Sequence, residues 1–344
     1  MRTRAIVTAA LGLAFGTMAS ISAAVAQEVV VFGGPEDAAK WLVEQNWWGE
    51  AQRGEQLEVP RAIVTGISPR WRQTAQELTV AEKKEIFYRV MLPLAVHAND
   101  MVLDRRARLE RTRGIVESGG RLSDEELQEI RDGAVLLRIL GQSEADTLPA
   151  TGTAVIRVID EALYRLDVIP AGLVLGQAAY ESGYGTSRFA IEGNALFGQW
   201  TYGGEGLVPE QQRKQLGDHR IASFDWPFDS VRGYFLNLSS HPAYEDFRRL
   251  RADLKAKGEP LTSLALADGL IRYSERGQEY VDTLKGMIRA NKLDMADDAV
   301  FRDEPMRFLV GTADAEAAAA LRAEIEDLRA NGELGEIVER MRLD

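Results

Sequence analysis

Apolar residues recur at helical spacing through much of the chain, and capping signals mark where the runs begin. Thr79-Val-Ala-Glu82 is a capping box, a hydroxyl followed three residues later by a carboxylate. Ile86, Val90, Leu94, Met101 and Leu109 then follow near a 3.6-residue period, which predicts a helix from about Val80 to Val116, bent at Pro93. Gly119-Gly120 breaks it. Ser123-Asp-Glu-Glu126 is a second capping box, ahead of Leu127, Ile130, Val135, Leu136 and Leu140. The two helices are expected to form a hairpin.

A further helix carries Val155, Ile159, Leu163 and Leu166 on one side, and Pro170 opens the next, where its missing N–H costs little. Upstream, from Gln27 to about Gln76, the pattern is different: Gly33-Gly34-Pro35, Gly49, Gly54, Pro60, Gly66 and Pro69 interrupt every short apolar run. An irregular arm is expected there. Downstream, the chain turns polar from Asp294 to Asp298, and Asp314 to Arg342 is rich in Ala and Glu with helical character. The organisation expected is therefore a leader at 1–26, an arm and helical hairpin at 27–150, a main domain at 151–295, and an acidic linker with a C-terminal helix at 296–344.

The leader is read from its order of charges and apolar residues. Arg2 and Arg4 precede an apolar run from Ala5 to Phe15 and a small-residue stretch ending Ala24-Val25-Ala26, the layout of a secretory signal peptide. Cleavage after Ala26 is expected, with export to a periplasm or cell surface. The alternative is a retained membrane anchor, against which Gly12, Gly16, Thr17 and Ser20 dilute the hydrophobicity. No later segment is long or apolar enough to span a bilayer.

Composition narrows the chemistry. The 344 residues include no Cys, so disulfide frameworks, thiolate metal sites and cysteine nucleophiles are all excluded. His97, His219 and His241 are the only histidines and do not cluster, and no calcium-loop pattern occurs, so neither a metal nor a cofactor is expected. Loss of Arg2 and Arg4 leaves 39 basic residues against 53 acidic ones, a net charge of −14. That disfavours nucleic acid or an anionic membrane as partner through a general positive field. The arginine-rich run from Asp104 to Arg113 is interleaved with Asp104 and Glu110 and reads as a solvated helix face. Gly183-x-Gly185-x-x-Arg188 lacks a third glycine and follows no strand, and no Gly-x-Ser-x-Gly or Walker pattern is present.

One carboxylate stands apart. In the helix after Pro170, Glu181 falls on the stripe shared by Val174 and Gln177, facing the packed side. Ser182-Gly183-Tyr184-Gly185 must end that helix, so Glu181 sits in its last turn, where the macrodipole disfavours negative charge. Desolvation and the helix end both favour the protonated carboxyl, the form a general acid needs near neutral pH. The alternative is a carboxylate held by a backbone N–H or by Arg188.

Gln177-Ala-Ala-Tyr-Glu181-Ser-Gly-Tyr-Gly-Thr-Ser187, followed by Asn194-Ala-Leu-Phe-Gly198, resembles the glucosaminidase domains of glycoside hydrolase family 73. The likeness continues through Phe224, Ser230-Val231, Tyr234, Asn237-Leu238 and His241-Pro-Ala-Tyr244 to Tyr273-Ser-Glu-Arg-Gly-Gln-Glu-Tyr280, and this later part is most similar to the bacterial Bax-like members. It covers about Gly152 to Leu293. The resemblance implies a mainly helical, lysozyme-like fold with a small β-lobe, and cleavage of the β-1,4 bond after N-acetylglucosamine in peptidoglycan. Glu181 matches the family's general acid, and Tyr273 and Tyr280 match its site tyrosines, either of which could face the sugar or equally belong to the core.

An ordinary glycosidase needs a second carboxylate. The resemblance puts one in the β-lobe, where Glu205 in its glycine-rich stretch is the candidate, beside the plainer reading of an exposed loop charge. Bax-like members keep no clear Glu there, which leaves assistance by the substrate's own N-acetyl group. Gln177, Ser182, Tyr184, Asn194, Phe197, Trp200, Tyr202 and Trp226 are the candidate sugar contacts, with Phe197 and Trp226 equally suited to the core. Trp41, Trp47, Trp48 and Trp71 in the arm either dock on the body or line a glycan groove. His219 to Phe224 alternates like a strand, so the lobe is expected to be a small hairpin. The expectation is an exported peptidoglycan hydrolase, with a lytic transglycosylase or a weakly active wall-binding scaffold as alternatives. The helical hairpin offers a docking face for a protein partner or a cover for the cleft.

Overall fold

The computed structural model describes residues 28–46, 56–201, 206–208 and 220–331. The leader at 1–26, Trp47, Trp48, Tyr202, Glu205 and the end of the C-terminal segment lie outside the described residues.

The chain opens with strand β1 (Glu28–Phe32) and helix α1 (Pro35–Glu44), whose Pro at the first turn and Glu36 and Asp37 just behind it suit a helix N-terminus. Short strands β2 (Glu58–Val59) and β3 (Ala62–Val64) and helix α2 (Trp71–Glu77) follow. Helix α3 (Val80–Glu117) begins at the Thr79 capping box, where the Glu82 N–H donates to Thr79 Oγ1 at 3.3 Å and the Thr79 N–H to Glu82 Oε2 at 2.8 Å. Pro93 lies inside it. The Ser123 box starts α4 (Asp124–Leu136) in the same way, and the short α5 (Gln142–Asp146) follows.

Helices α6 (Thr153–Arg165), α7 (Ala171–Ser182) and α8 (Arg188–Gly193) lead to the β-lobe of β4 (Trp200–Thr201), β5 (Gly206–Leu207) and β6 (Arg220–Ala222). The lobe is a three-stranded antiparallel sheet rather than a two-stranded hairpin, with β6 central and Ile221 paired to both Trp200 and Leu207. Helices α9 (Pro227–Ser240), α10 (Glu245–Ala256), α11 (Ser263–Leu266) and α12 (Gln278–Asn291) complete the helical body. Strands β7 (Val300–Phe301) and β8 (Arg307–Gly311) and helix α13 (Ala315–Ala330) end the described chain. The fold is mainly α with small sheets, lysozyme-like in class. No helix among the described residues is long and apolar enough to cross a membrane.

Both flanks of the main domain differ from the expectation. The segment read as an irregular arm contributes β1 and β3 to a parallel sheet of order β1-β8-β3, and the central strand comes from the segment read as a linker. Val30 pairs with Leu309 and Ile63 with Phe308. The β2 strand pairs β7 in parallel beside it, and α13 covers β1 by burying Ala318 and Ile325 on Val31. The strands are too short for a periodic signal, and each needs a partner from the far end of the chain.

The long helix is internal to the fold. Its first half buries Tyr88, Met91, Leu92, Leu94 and Ala95 in the core that holds Leu173, Val174, Leu175 and Ala178 of α7. Its second half shares a smaller core with α4 and α6, in which Leu109 and Val116 meet Leu127, Ile130, Val155 and Ile159. The arginine run differs from a solvated face as well. Arg105 bridges to Glu129 at 3.1 Å, and Arg106 donates to the Leu163 and Leu166 carbonyls that end α6. The guanidinium forks thus tie α3 to α4 and α6.

Candidate active site

Helix α7 drives through the core and surfaces at its C-terminal turn. Leu173, Val174, Leu175 and Ala178 are fully buried, and Gly183 at φ 58° stops the helix in the left-handed conformation that glycine adopts without strain. Ser182 closes the turn, its hydroxyl donating to the Ala178 carbonyl at 2.6 Å and accepting the Gly185 N–H at 2.8 Å. Glu181 is thereby fixed at the point where the packed helix meets the surface.

The carboxyl meets a set of tyrosines. The Tyr280 hydroxyl donates to Oε1 of Glu181 at 3.0 Å, and the phenol oxygen accepts from Gln177 Nε2 at 2.9 Å. Gln177 Oε1 in turn accepts from the Tyr234 hydroxyl at 2.5 Å. Tyr273 stacks on Tyr280 with centroids 5.6 Å apart and donates its hydroxyl to the Phe197 carbonyl at 3.1 Å. Phe197 stacks on Tyr234 at 4.2 Å. Of the two candidate tyrosines, Tyr280 therefore touches the carboxyl and Tyr273 supports it from behind. On the other side of the carboxyl is the Gly198 backbone: a Cβ at this residue, which sits at φ 61°, would lie 3.7 Å from Glu181 Oε2.

Burial pushes the Glu181 carboxyl above the usual carboxylate range, and the Tyr280 donation partly opposes it. Burial also drives the phenols of Tyr280, Tyr273 and Tyr234 far up, so they remain neutral donors. Arg188 pairs with Glu192 at 3.2 Å and donates to the Val208 carbonyl, pointing toward the lobe. No group of three metal-ligating side chains occurs among the described residues.

Of the residues expected to touch sugar, Gln177, Ser182 and Phe197 are buried, and Asn194, Tyr184 and Trp226 are half-buried. Gln177 and Ser182 are fully buried and spend their polar atoms on the network and on the helix end. Asn194, left-handed at φ 49°, accepts the Ile67 N–H at 3.3 Å and donates to the Phe224 and Asp225 carbonyls, so it ties the chain entering the β-lobe to the chain leaving it. Phe197 is buried against Tyr234, and Trp226, half-buried at the start of α9, lies edge-on to Phe308. Tyr184 packs edge-on to Phe87 and Tyr88 of α3, with Lys83 and Lys84 over its ring. Trp200 alone of the described aromatic candidates is largely exposed, at 49%, on β4. Tyr202 and Glu205 lie outside the described residues.

Tyr234 and Gly198 had no assigned role in the sequence reading. Tyr234 shares an i, i+3, i+4 face with Val231 and Leu238, which reads as core, and only the buried acceptor opposite gives its hydroxyl a function. Trp41 and Trp71 dock on the body, Trp41 edge-on to Phe32 and Trp71 through a bond from Nε1 to the Tyr184 carbonyl.

A mainly helical body of lysozyme-like class presents one half-buried, phenol-bonded carboxyl beside a small β-lobe. Residues 157–293 match the glucosaminidase family, described as mannosyl-glycoprotein endo-beta-N-acetylglucosaminidase. Over 130 residues the chain is 36% identical to Protein bax of Escherichia coli (strain K12), a match covering 38% of this chain and 46% of that protein. The chain thus carries a Bax-like glucosaminidase domain of glycoside hydrolase family 73, matched over less than half the length of that relative. No solved structure matches it.

Proposed function

We propose that the protein is an exported endo-β-N-acetylglucosaminidase that hydrolyses the β-1,4 bond after N-acetylglucosamine in peptidoglycan, at the periplasm or cell surface. The observation that carries this reading is Glu181, half-buried at the end of α7 with its carboxyl pushed toward the neutral form and one oxygen held by Tyr280. A carboxyl of that kind protonates a leaving glycosidic oxygen. Trp200 on the lobe offers an apolar face on which a sugar ring stacks. The signal-like order of Arg2, Arg4 and the apolar run after them supports export.

Glu181 is the acid among the described residues, and the substrate's own N-acetyl group, as in substrate-assisted glycosidases, or Glu205 of the β-lobe supplies the second catalytic group. The same acid favours a second reading, a lytic transglycosylase whose product closes on itself without added water. The test is release of reducing ends from purified sacculi by the chain from Gln27 to Asp344, beside Glu181→Gln and Glu205→Gln. Glu181→Gln is expected to lose roughly 10²–10⁴-fold, the usual worth of a general acid. Equal release by wild type and Glu181→Gln would sink the assignment of the acid. Anhydromuramyl ends in the mass spectrum of the products would replace hydrolysis by transglycosylation.

A further inference from the structure

The hydrogen bonds behind Glu181 have a direction, and Tyr234 sets it. A phenol hydroxyl carries one proton, and Tyr234, fully buried, gives its proton to Gln177 Oε1. With its oxygen occupied, the Gln177 amide can offer only Nε2 to Tyr280. Tyr280, accepting from that amide, sends its own proton to Glu181 Oε1. Were the amide turned over, Tyr280 would donate to Gln177 and Oε1 would have to carry a proton itself. The buried hydroxyl of Tyr234 would then lose its acceptor, a costly outcome.

We propose that Tyr234 and Gln177 are positioning residues that keep a donor on Oε1 of Glu181 and so hold the acid proton on Oε2, the oxygen facing Gly198. This rests on Glu181 being the general acid. Gly198 leaves room at that oxygen, since even a Cβ there would approach it to 3.7 Å. In the transfer step the Oε2–H bond breaks as an O–H bond forms on the leaving oxygen. That oxygen keeps the electron pair of the cleaved C–O bond, and the carboxylate left behind is already met by Tyr280.

Among the described residues the titratable groups that interact with Glu181 are phenols: Tyr280 from α12, Tyr273 from the turn before it, Tyr234 from α9 and Tyr244 just beyond α9. None of these phenols carries charge near neutral pH, and a change at Tyr234 reaches Glu181 through the hydrogen-bond chain.

The experiment follows the side-chain carbon of Glu181 by NMR through a pH titration of the full chain labelled at glutamate Cδ, with Glu181→Gln identifying the signal. In Tyr234→Phe the amide is free to turn, the donor on Oε1 is lost, and the titration midpoint moves up. Reducing-end release falls about tenfold although more of the acid is protonated, because the proton moves to the wrong oxygen. A merely structural role for Tyr234 would lower stability and leave the midpoint where it was. Replacing Tyr234 by 3-fluorotyrosine, a stronger donor of nearly the same shape, moves the midpoint down and guards against a misfolded Tyr234→Phe. An unmoved midpoint with fluorotyrosine in place overturns the proposal. Midpoints that move as stated in a chain that cleaves no glycan overturn the glycosidase reading alone.

Discussion

The indole N–H of Trp71 donates to the carbonyl of Tyr184 at 3.0 Å, so the segment before α3 holds the turn that follows Glu181. Two neighbours repeat the arrangement, Arg72 donating to the Thr186 carbonyl at 2.9 Å and the Ile67 N–H to Asn194 at 3.3 Å. A short stretch from Ile67 to Arg72 thus spans the site loop from Tyr184 to Asn194. Its own anchor is the parallel sheet built from both ends of the chain, which makes the flanking segments part of the site's frame.

Trp71→Phe removes the hydrogen bond together with part of a buried ring system, which is expected to lower stability by about 2–3 kcal/mol. The local effect should exceed the global one. Amide exchange at Tyr184, Gly185 and Thr186 is expected to accelerate more than in the core of α7, as read by hydrogen-exchange mass spectrometry. Uniform acceleration across the chain would show that Trp71 serves packing alone.

The segment 151–295, although it contains the whole family match, is not expected to fold by itself. Leu173, Val174 and Leu175 of α7 are buried in a core to which α3 contributes Met91, Leu92, Leu94 and Ala95. Removing α3 exposes a contiguous apolar face, at about 25 cal/mol for each Å² returned to water. Expression of 151–295 should give insoluble material or a chain without a cooperative melt, whereas 28–331 melts as one unit. A sharp thermal transition from the short fragment would refute this.

The parts of this structure written in local signals were legible, and those written in long-range pairing were not. The capping boxes at Thr79 and Ser123 announced α3 and α4 because hydroxyl, spacing and carboxylate all lie within four residues. Glu181 was legible for a similar reason, since the helix stripe and the Ser-Gly-Tyr-Gly stop fix its place. The sheet β1-β8-β3 was hidden, because Val30 and Ile63 find their common partner strand near Leu309. Burial misled in the other direction: Gln177, Ser182 and Asn194 carry polar groups that suit a sugar, and the fold uses them to hold Tyr280, the helix end and the lobe.

Glu181→Gln should stabilise the protein while it removes activity. Burial raises the folded-state midpoint of this carboxyl, whereas the unfolded chain titrates near the ordinary ~4.3. Ionisation is thus easier in the unfolded chain, and wild type loses stability as pH rises from about 4.3 through the raised midpoint. The amide has nothing to ionise. At pH 8 Glu181→Gln is expected to melt about 2–4 °C above wild type, and the gap closes toward pH 4. Urea unfolding at both pH values would read the same difference, and a variant less stable than wild type at pH 8 would contradict the sign.

Asp297 supplies a second pH term, away from the site. Its Oδ2 accepts the Ser263 N–H at 2.8 Å, while Oδ1 is buried with no hydrogen-bond partner. Burial pushes this carboxyl up to about 7, with the nearby donors of Ser263 and Gly172 opposing and Asp294 adding to the rise. The unfolded reference is about 3.9, so the folded chain holds the proton more tightly. Stability from this residue is full below about pH 4, is lost as pH rises to about 7, and is level above that. Asp297→Asn keeps an acceptor for Ser263 and removes the ionisation, so it is expected to be more stable than wild type at pH 8 by roughly 1–3 kcal/mol. Near pH 4 the two should converge. Gly172 stands in the first turn of α7, so the wild-type loss falls on the helix that carries Glu181. Denaturant titrations of both proteins at pH 4.5, 6, 7 and 8 measure the slopes, and parallel curves would show that Asp297 stays ionised throughout.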